Sequence, residues 1–143
     1  MTPLPPAPPP SNPSVTKSMK GNKSENTTPE LKLRAELRRR GHPGYRVHWR
    51  KAPGRPDVCY PGRKVAVFVN GCFWHRCPIC RPSSPKTHRE YWDAKFDRNV
   101  ERDREKAEEL RKSGWKVVTV WECEIDGDLH ATATRVIVEL DNE

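Results

Sequence analysis

The chain has no apolar run of about 20 residues, the length that a helix needs to cross a bilayer, so we expect no membrane span. Its first residues also lack the apolar stretch of a secretory signal, which favours a cytoplasmic protein. The five cysteines are an odd number, so a complete set of disulfides cannot form. In a reducing compartment, clustered cysteines bind metal more often than they pair with one another.

Acidic side chains are in the minority: 27 lysines and arginines face 19 aspartates and glutamates, a formal net charge of +8. Such a balance favours a polyanionic partner, most simply nucleic acid, although many basic proteins bind none. The length of 143 residues suits one domain with a single core.

The amino-terminal segment, residues 1–27, is predicted to be a disordered, proline-rich tail, and residues 28–143 to be one folded domain. Proline is concentrated at the start of the chain and polar residues follow. Such a segment cannot bury enough apolar surface to offset the entropy lost on ordering. Thr28 as N-cap, Pro29 and Glu30 then predict the start of a helix.

The first helix is expected to end at Gly41, after three arginines at 38–40 that either complement the helix dipole or touch phosphates. Beyond it, the pattern predicts an α/β domain whose mixed sheet is flanked by helices. Strands are expected at Tyr45–Trp49, Asp57–Tyr60, Val65–Val69 and Lys116–Trp121, with helices at Arg89–Ser113 and Asp128–Leu140. The run Val65–Val69 contains no polar residue and should be a buried central strand.

Four cysteines have the distribution of a metal site: Cys72, Cys77, Cys80 and Cys123. They predict one structural zinc ion, because four thiolates leave no open position for water or substrate. The alternative is a group of unpaired core thiols. The last of the four can join the others if the final strand lies beside Val65–Val69. Cys59 is left over and is expected to be a small buried hydrophobe.

Candidates for catalysis are acids and a histidine. Asp57 opens a short strand one hairpin away from a buried strand, as in many nucleases that present a carboxylate to Mg²⁺; alone, a Pro-Asp pair is more often a turn. His75 could take a proton from a water beside a metal-bound phosphate, or it could bond to the zinc thiolates. Glu30 joins this set from the first helix. Asn99 and Asp103, four residues apart, could face the same centre or a solvated surface.

Two adjacent aromatics, Phe73 and Trp74, lie among the cysteines, and Trp92 follows further along the chain. Aromatic and apolar side chains can wedge between base pairs and kink a duplex. The alternative is internal packing, with one ring over the zinc site and another on the sheet.

Together these residues resemble the very short patch repair (Vsr) endonuclease family. The matching stretches occur in family order between about residues 17 and 125: Pro29-Glu30, Gly54-Arg55-Pro56-Asp57, residues 67–78, Tyr91-Trp92, residues 99–103, residues 114–117 and residues 120–123. The resemblance implies a restriction-endonuclease-like core and Mg²⁺-dependent hydrolysis of one DNA strand, 5′ to the thymine of a T:G mismatch. Such mismatches arise when 5-methylcytosine deaminates, so a functional link to a cytosine-5 DNA methyltransferase is also implied.

The resemblance implies a role for each candidate residue. Asp57 and the backbone carbonyl of Val69 would ligate Mg²⁺, His75 would be the general base, and Glu30 and Asp103 would hold metal-bound waters. The rings that would intercalate beside the mismatch are those of Phe73, Trp74 and Trp92, and the zinc ligands would be Cys72, Cys77, Cys80 and Cys123. The setting would be the bacterial cytoplasm, with nucleoid DNA as substrate, and a monomer would suffice for a single nick.

Two residues depart from the family pattern: Cys80, which is often a histidine in relatives, and Asn70. Asn70 stands where we expect histidine or aspartate, and an asparagine offers neither a charge nor a proton. Asn70 and Asn99 are therefore candidates for accessory residues of the active site. Two alternatives therefore stay open: a zinc-stabilised DNA-binding module with impaired catalysis, and a restriction-type nuclease without mismatch specificity.

Overall fold

The computed structural model describes residues 26–141, which form five helices and one four-stranded sheet. In chain order the elements are α1 (Thr28–Arg39), β1 (Arg46–Val47), β2 (Val58–Tyr60), β3 (Val65–Asn70), α2 (Cys72–His75), α3 (Arg89–Lys112), β4 (Lys116–Trp121), α4 (Glu122–Gly127) and α5 (Leu129–Asp141). The predicted α/β domain with a mixed sheet and flanking helices is confirmed.

The strand order is β1-β2-β3-β4. The first three strands are antiparallel neighbours, whereas β3 and β4 are parallel, with Val65 opposite Lys116 and Asn70 opposite Trp121. A parallel pair needs a long crossover connection, and here α3 supplies it. The two strands therefore end together, which brings the chain that follows each of them to one edge of the sheet.

The core has two layers because the side chains of β3 alternate between the faces of the sheet. Val65 and Val67 join the larger cluster, which includes Leu33 and Leu37 of α1 and residues of α5. Burying each of these leucines is worth about 1.5–3 kcal/mol. On the other face, Ala66 packs with Leu110 of α3 and Phe68. The predicted burial of Cys59 is also confirmed, since its side chain is fully buried in β2.

Most element ends differ from the sequence predictions by one or two residues, and the more informative differences concern α1, β1 and two short helices. Thr27 rather than Thr28 caps α1, because the Thr27 hydroxyl accepts the Glu30 N–H at 3.4 Å. The strand predicted from Tyr45 to Trp49 is reduced to β1, because His48 turns the backbone into the left-handed region at φ 46°. The cysteine loop begins with a helical turn, α2, and a short helix that was not predicted, α4, follows β4.

The predicted amino-terminal tail lies mostly outside the described residues; its last two positions, Asn26 and Thr27, belong to the start of α1. Within residues 26–141, no helix combines the length and the apolar character that a membrane crossing requires.

Candidate active site and metal centre

An open cleft of about 770 Å³ lies between the start of α1, the end of β3 and one side of α3. It gathers residues that are far apart in the sequence, and its lining includes Val69 and the acidic and polar residues Glu30, Asp57, Asn70, His75, Asn99, Asp103 and Glu122. Cations from Arg55, Lys95, Arg102 and Lys106 also line it. A cleft with carboxylates at its floor and cations around them suits a phosphate diester that is held near a metal ion.

Asp57 lies in this cleft at the entry to β2. Its Oδ2 accepts the backbone N–H of Val69 at 2.7 Å, which ties it to the neighbouring strand β3. Burial raises the pKa of Asp57 to about 6; the Val69 N–H opposes this shift, whereas the nearby Glu30 adds to it. A carboxylate that is disfavoured in its charged form would gain from a bound cation. The predicted contact of the Val69 carbonyl with Mg²⁺ stays a prediction.

Glu30 is the second carboxylate of the cleft and is only 2% exposed. Its Oε2 accepts the Asn26 N–H at 3.1 Å and lies 3.0 Å from Nε2 of His48. The Asn26 side chain in turn accepts a bond from Arg34 at 2.8 Å. These contacts at the start of α1 therefore hold Glu30, which was predicted from the sequence to be an active-site residue.

Sequence reasoning missed His48. A lone histidine after a two-residue strand carries no spacing signal, but the hairpin register could have revealed it. Val47 pairs with Val58, so His48, the residue after β1, lies opposite Asp57. The His48 N–H donates to the Asp57 carbonyl at 3.2 Å. The ligand atoms of Glu30, His48 and Asp57 lie within 4.8 Å of one another. Two carboxylates and an imidazole are a donor set that fits a divalent cation.

His75 and Asp103 meet across the cleft, where α2 faces α3. Nδ1 of His75 lies 2.5 Å from Oδ2 of Asp103. One turn earlier on α3, Asn99 donates its side-chain N–H to the Trp74 carbonyl at 3.0 Å. The expectation that Asn99 and Asp103 face the same centre therefore fits the geometry, and the histidine bonds to a carboxylate.

The four cysteines also converge, because β4 delivers Cys123 beside α2. All four Sγ atoms lie within 4.8 Å of one another, and those of Cys77 and Cys123 are 3.7 Å apart. A tetrahedral zinc ion with Zn–S bonds of about 2.3 Å places its sulfurs about 3.8 Å apart. The cluster therefore has the donor set and the spacing that such an ion needs.

Backbone donors support this cysteine cluster. The N–H of Cys123 donates to Sγ of Cys72 at 3.3 Å, and the N–H of Ile79 donates to Sγ of Cys77 at 3.3 Å. Burial opposes ionisation of Cys77, but backbone N–H groups of Cys80 and Ile79 lower its pKa below the ordinary value. Burial raises the pKa of Cys72, so that thiol would release its proton only to a metal ion.

The aromatic residues form a connected group beside the cleft. Phe73 and Trp74 are partly exposed and line it, with ring centroids 5.1 Å apart at an interplanar angle of 86°. Trp92 is only 6% exposed and lies beneath them, 5.8 Å from Phe73 and stacked on Phe96. Without DNA, the first two rings are available to a ligand, whereas Trp92 supports them from below. Its insertion into a duplex stays a prediction, and it would require the ring to leave this packing.

Clustered carboxylates, a histidine bonded to an acid, and partly exposed aromatic rings share one cleft, an arrangement that suits a DNA endonuclease, a hydrolase of phosphodiester bonds. Comparisons with known proteins agree. Residues 12–80 match the family described as DNA mismatch endonuclease Vsr. The chain belongs to this family of Vsr mismatch endonucleases, as its relatives show.

Three relatives illustrate the similarity. The type II nicking enzyme V.XorIIP of Xanthomonas oryzae pv. oryzae is 39% identical over 114 residues, which cover 80% of this chain and 82% of that protein. The type II nicking enzyme V.NaeI of Lentzea aerocolonigenes is 38% identical over 140 residues, 94% of this chain and 83% of that protein. The DNA mismatch endonuclease Vsr of Escherichia coli is 36% identical over 112 residues, 78% of this chain and 71% of that protein.

Proposed function

We propose that this endonuclease nicks one strand of double-stranded DNA on the 5′ side of the thymine in a T:G mismatch, by Mg²⁺-dependent hydrolysis. The observation that carries the proposal is the bond of His75 to Asp103 in the same cleft as Asp57. In this proposal His75 would be the base and Asp57 the cation ligand, and the scissile phosphate would lie in the cleft that both residues line. The name of the Escherichia coli relative supports mismatch recognition.

The acids of the cleft would hold the ion, with Asp57 as the direct protein ligand and Glu30 beside it. A bound Mg²⁺ would supply charge neutralisation at the phosphate and at the leaving oxygen. His75 would act on the water. When its Nδ1–H donates to Asp103, the neutral imidazole keeps a lone pair on Nε2, which can take a proton as the water oxygen bonds to phosphorus and one P–O bond breaks.

Mismatch selectivity would come from the exposed aromatic pair, Phe73 and Trp74. A wobble pair stacks and pairs less well than a matched pair, so wedging it open costs less free energy. Trp92 would brace these rings or follow them into the duplex. Lys95 lies 5.8 Å from the Trp74 ring and would bring positive charge to the same place.

The rest of the proposal concerns context. The sheet would be a restriction-endonuclease-like core, and the cysteine cluster would hold structural zinc. The enzyme would act as a monomer in the bacterial cytoplasm, on nucleoid DNA, and would repair damage that follows cytosine-5 methylation. A partner methyltransferase is therefore expected in the same cell.

The test is a nicking assay on two duplexes that differ only in having T:G or C:G at one site. We expect Mg²⁺-dependent nicking of the T:G duplex alone, and none from an Asp57→Ala variant that still binds that duplex. Equal cleavage of both duplexes would instead indicate a restriction-type nuclease.

Asn70 favours a second candidate function, a DNA-binding module with impaired catalysis. It is 7% exposed at the end of β3, next to Val69, and it cannot supply a proton or a charge to the reaction. Tight binding of the T:G duplex without any cleavage in Mg²⁺ would establish this alternative.

A further inference from the structure

His48 borders the cation site, yet no step of the proposed reaction requires it. Its side chain is 11% exposed, and its Nε2 lies 3.0 Å from Oε2 of Glu30. A carboxylate as buried as that of Glu30 needs hydrogen-bond donors, because water cannot solvate it. Two such groups contact Oε2 of Glu30: the Asn26 backbone N–H and this imidazole.

The backbone conformation of His48 turns its side chain toward Glu30. Its φ of 46° lies in the left-handed region, which costs a non-glycine residue about 1–2 kcal/mol. The His48 N–H holds the conformation by donating to the Asp57 carbonyl at 3.2 Å. Because of this backbone turn, the pairing of β1 with β2 ends at Val47, and the His48 imidazole reaches Glu30 of α1.

Glu30 would not stay beside Asp57 without such a restraint. Their ligand atoms lie within 4.8 Å of each other. Two carboxylates at this distance repel when no cation lies between them. A glutamate side chain without this bond would relieve the repulsion by rotating away from Asp57.

We propose that His48 is a positioning residue of the cation site, whose Nε2–H holds the Glu30 carboxylate next to Asp57 so that both face one divalent cation. The proposal deepens the proposed function, since it assumes a cation at Asp57. Partners of this kind fix the orientation of the groups around a metal ion, and their loss typically costs about 10- to 100-fold in metal affinity or activity.

Two substitutions separate the hydrogen bond from the backbone conformation. In His48→Gln, the side-chain amide can reach the place of Nε2 and donate to Glu30. In His48→Asn, the amide stops near the place of Nδ1, although asparagine tolerates the left-handed region better than most residues. His88→Gln is the matched control: His88 also has a left-handed backbone, at φ 56°, but it is exposed and lies outside the cleft.

The readout is the binding of Mn²⁺ alone, which suits oxygen-rich Mg²⁺ sites, to the zinc-loaded full chain without DNA. The free ion is followed by its electron paramagnetic resonance signal, and Asp57→Ala defines the binding that belongs to the cleft. We expect His48→Asn to weaken this binding about 10- to 100-fold, and His48→Gln to recover most of it. His88→Gln should bind as the unmodified chain does, and thermal melts should show that all variants are folded.

Two results would overturn the proposal: wild-type Mn²⁺ affinity in His48→Asn, or an equal loss in His48→Gln. Binding that does not depend on Asp57 would overturn the proposal together with the cation site. Equal nicking of T:G and C:G duplexes would instead refute only mismatch specificity, so the two failures can be told apart.

Discussion

Nδ1 of His75 lies 2.5 Å from Oδ2 of Asp103, although 28 residues separate them in the chain. The helical turn α2 presents the histidine, and one face of α3 presents the acid. Because a carboxylate accepts but does not donate when ionised, it selects the imidazole tautomer that carries its proton on Nδ1. The opposite nitrogen is then free to act as a base.

Asp103→Asn should reduce the single-turnover nicking rate by about 100-fold or more, because an amide no longer selects the reactive tautomer or stabilises the protonated imidazole. His75→Ala should cause a similar loss, and the double variant little more, since the two residues act as one unit. Binding of the T:G duplex, measured by fluorescence anisotropy, should persist. Asp97→Asn, an exposed acid on the same helix, is the control. Additive losses in the double variant would contradict this view.

Asp57 should make stability depend on pH. Burial raises its pKa to about 6, so the folded chain keeps a proton that the unfolded chain has already released, and stability falls as pH rises through this window. Asp57→Asn removes that ionisation. Without Mg²⁺, the variant should exceed the wild type in unfolding free energy by about 1.5 kcal/mol near pH 5 and by about 3 kcal/mol near pH 8.

Chemical denaturation with zinc bound would measure this difference, and a difference that does not change with pH would refute it. Addition of Mg²⁺ should stabilise the wild type but not Asp57→Asn, because only a folded chain with the carboxylate binds the ion. Nicking should also decline as Asp57 becomes protonated below about pH 6, and higher Mg²⁺ should move that limit to lower pH.

Cys123→Ser should lower zinc content and thermal stability together, because it removes one of four thiolates around the ion. Elemental analysis of the purified protein and a thermal melt would test this. Cys59→Ser is the control: Cys59 is fully buried in β2, apart from the cluster, so the change should affect packing and leave the zinc content intact. Full zinc in folded Cys123→Ser would show that this residue is not a ligand.

Gly54→Ala should destabilise the fold by about 1–3 kcal/mol and slow nicking. The glycine has φ 75°, and an added Cβ would lie 2.8 Å from Cβ of Lys106 on α3. Relief of that clash would move α3, with its Asp103, away from the turn that leads into Asp57. Gly44→Ala has open space around it and should change stability by less than about 0.5 kcal/mol. An unchanged melting temperature in Gly54→Ala would contradict this reading.

The long elements could be predicted from the sequence because each has a strong periodic or apolar signal with a clear end. The helix α3 stops before Gly114, whose φ of 85° suits glycine, and β3 and β4 are short apolar runs. The cysteine pattern also linked these two strands, since Cys123 can join the other cysteines if β4 lies beside β3, but it did not predict that the pair is parallel. The start of α1 was misplaced by one residue because two adjacent threonines can each cap a helix, and only the hydrogen bond to Glu30 distinguishes them.

The remaining features depend on tertiary contacts that no local pattern encodes. His48 enters the site through a strained backbone angle and the register of a two-residue strand. The bond of Asp103 to His75 needs the docked position of α3, and so does the burial of Trp92 under Phe73. The candidate residues could therefore be predicted from the sequence more readily than the residues that they contact.

The parallel pairing of β3 with β4 has a consequence for synthesis of the enzyme. The strand that completes the sheet begins at Lys116, and the last cysteine of the cluster comes after it, whereas the first acid of the cleft lies at position 30. Residues 30–121 must therefore all leave the ribosome before β4 can dock. A product terminated before Lys116 would carry Asp57 and His75 but would lack both β4 and Cys123.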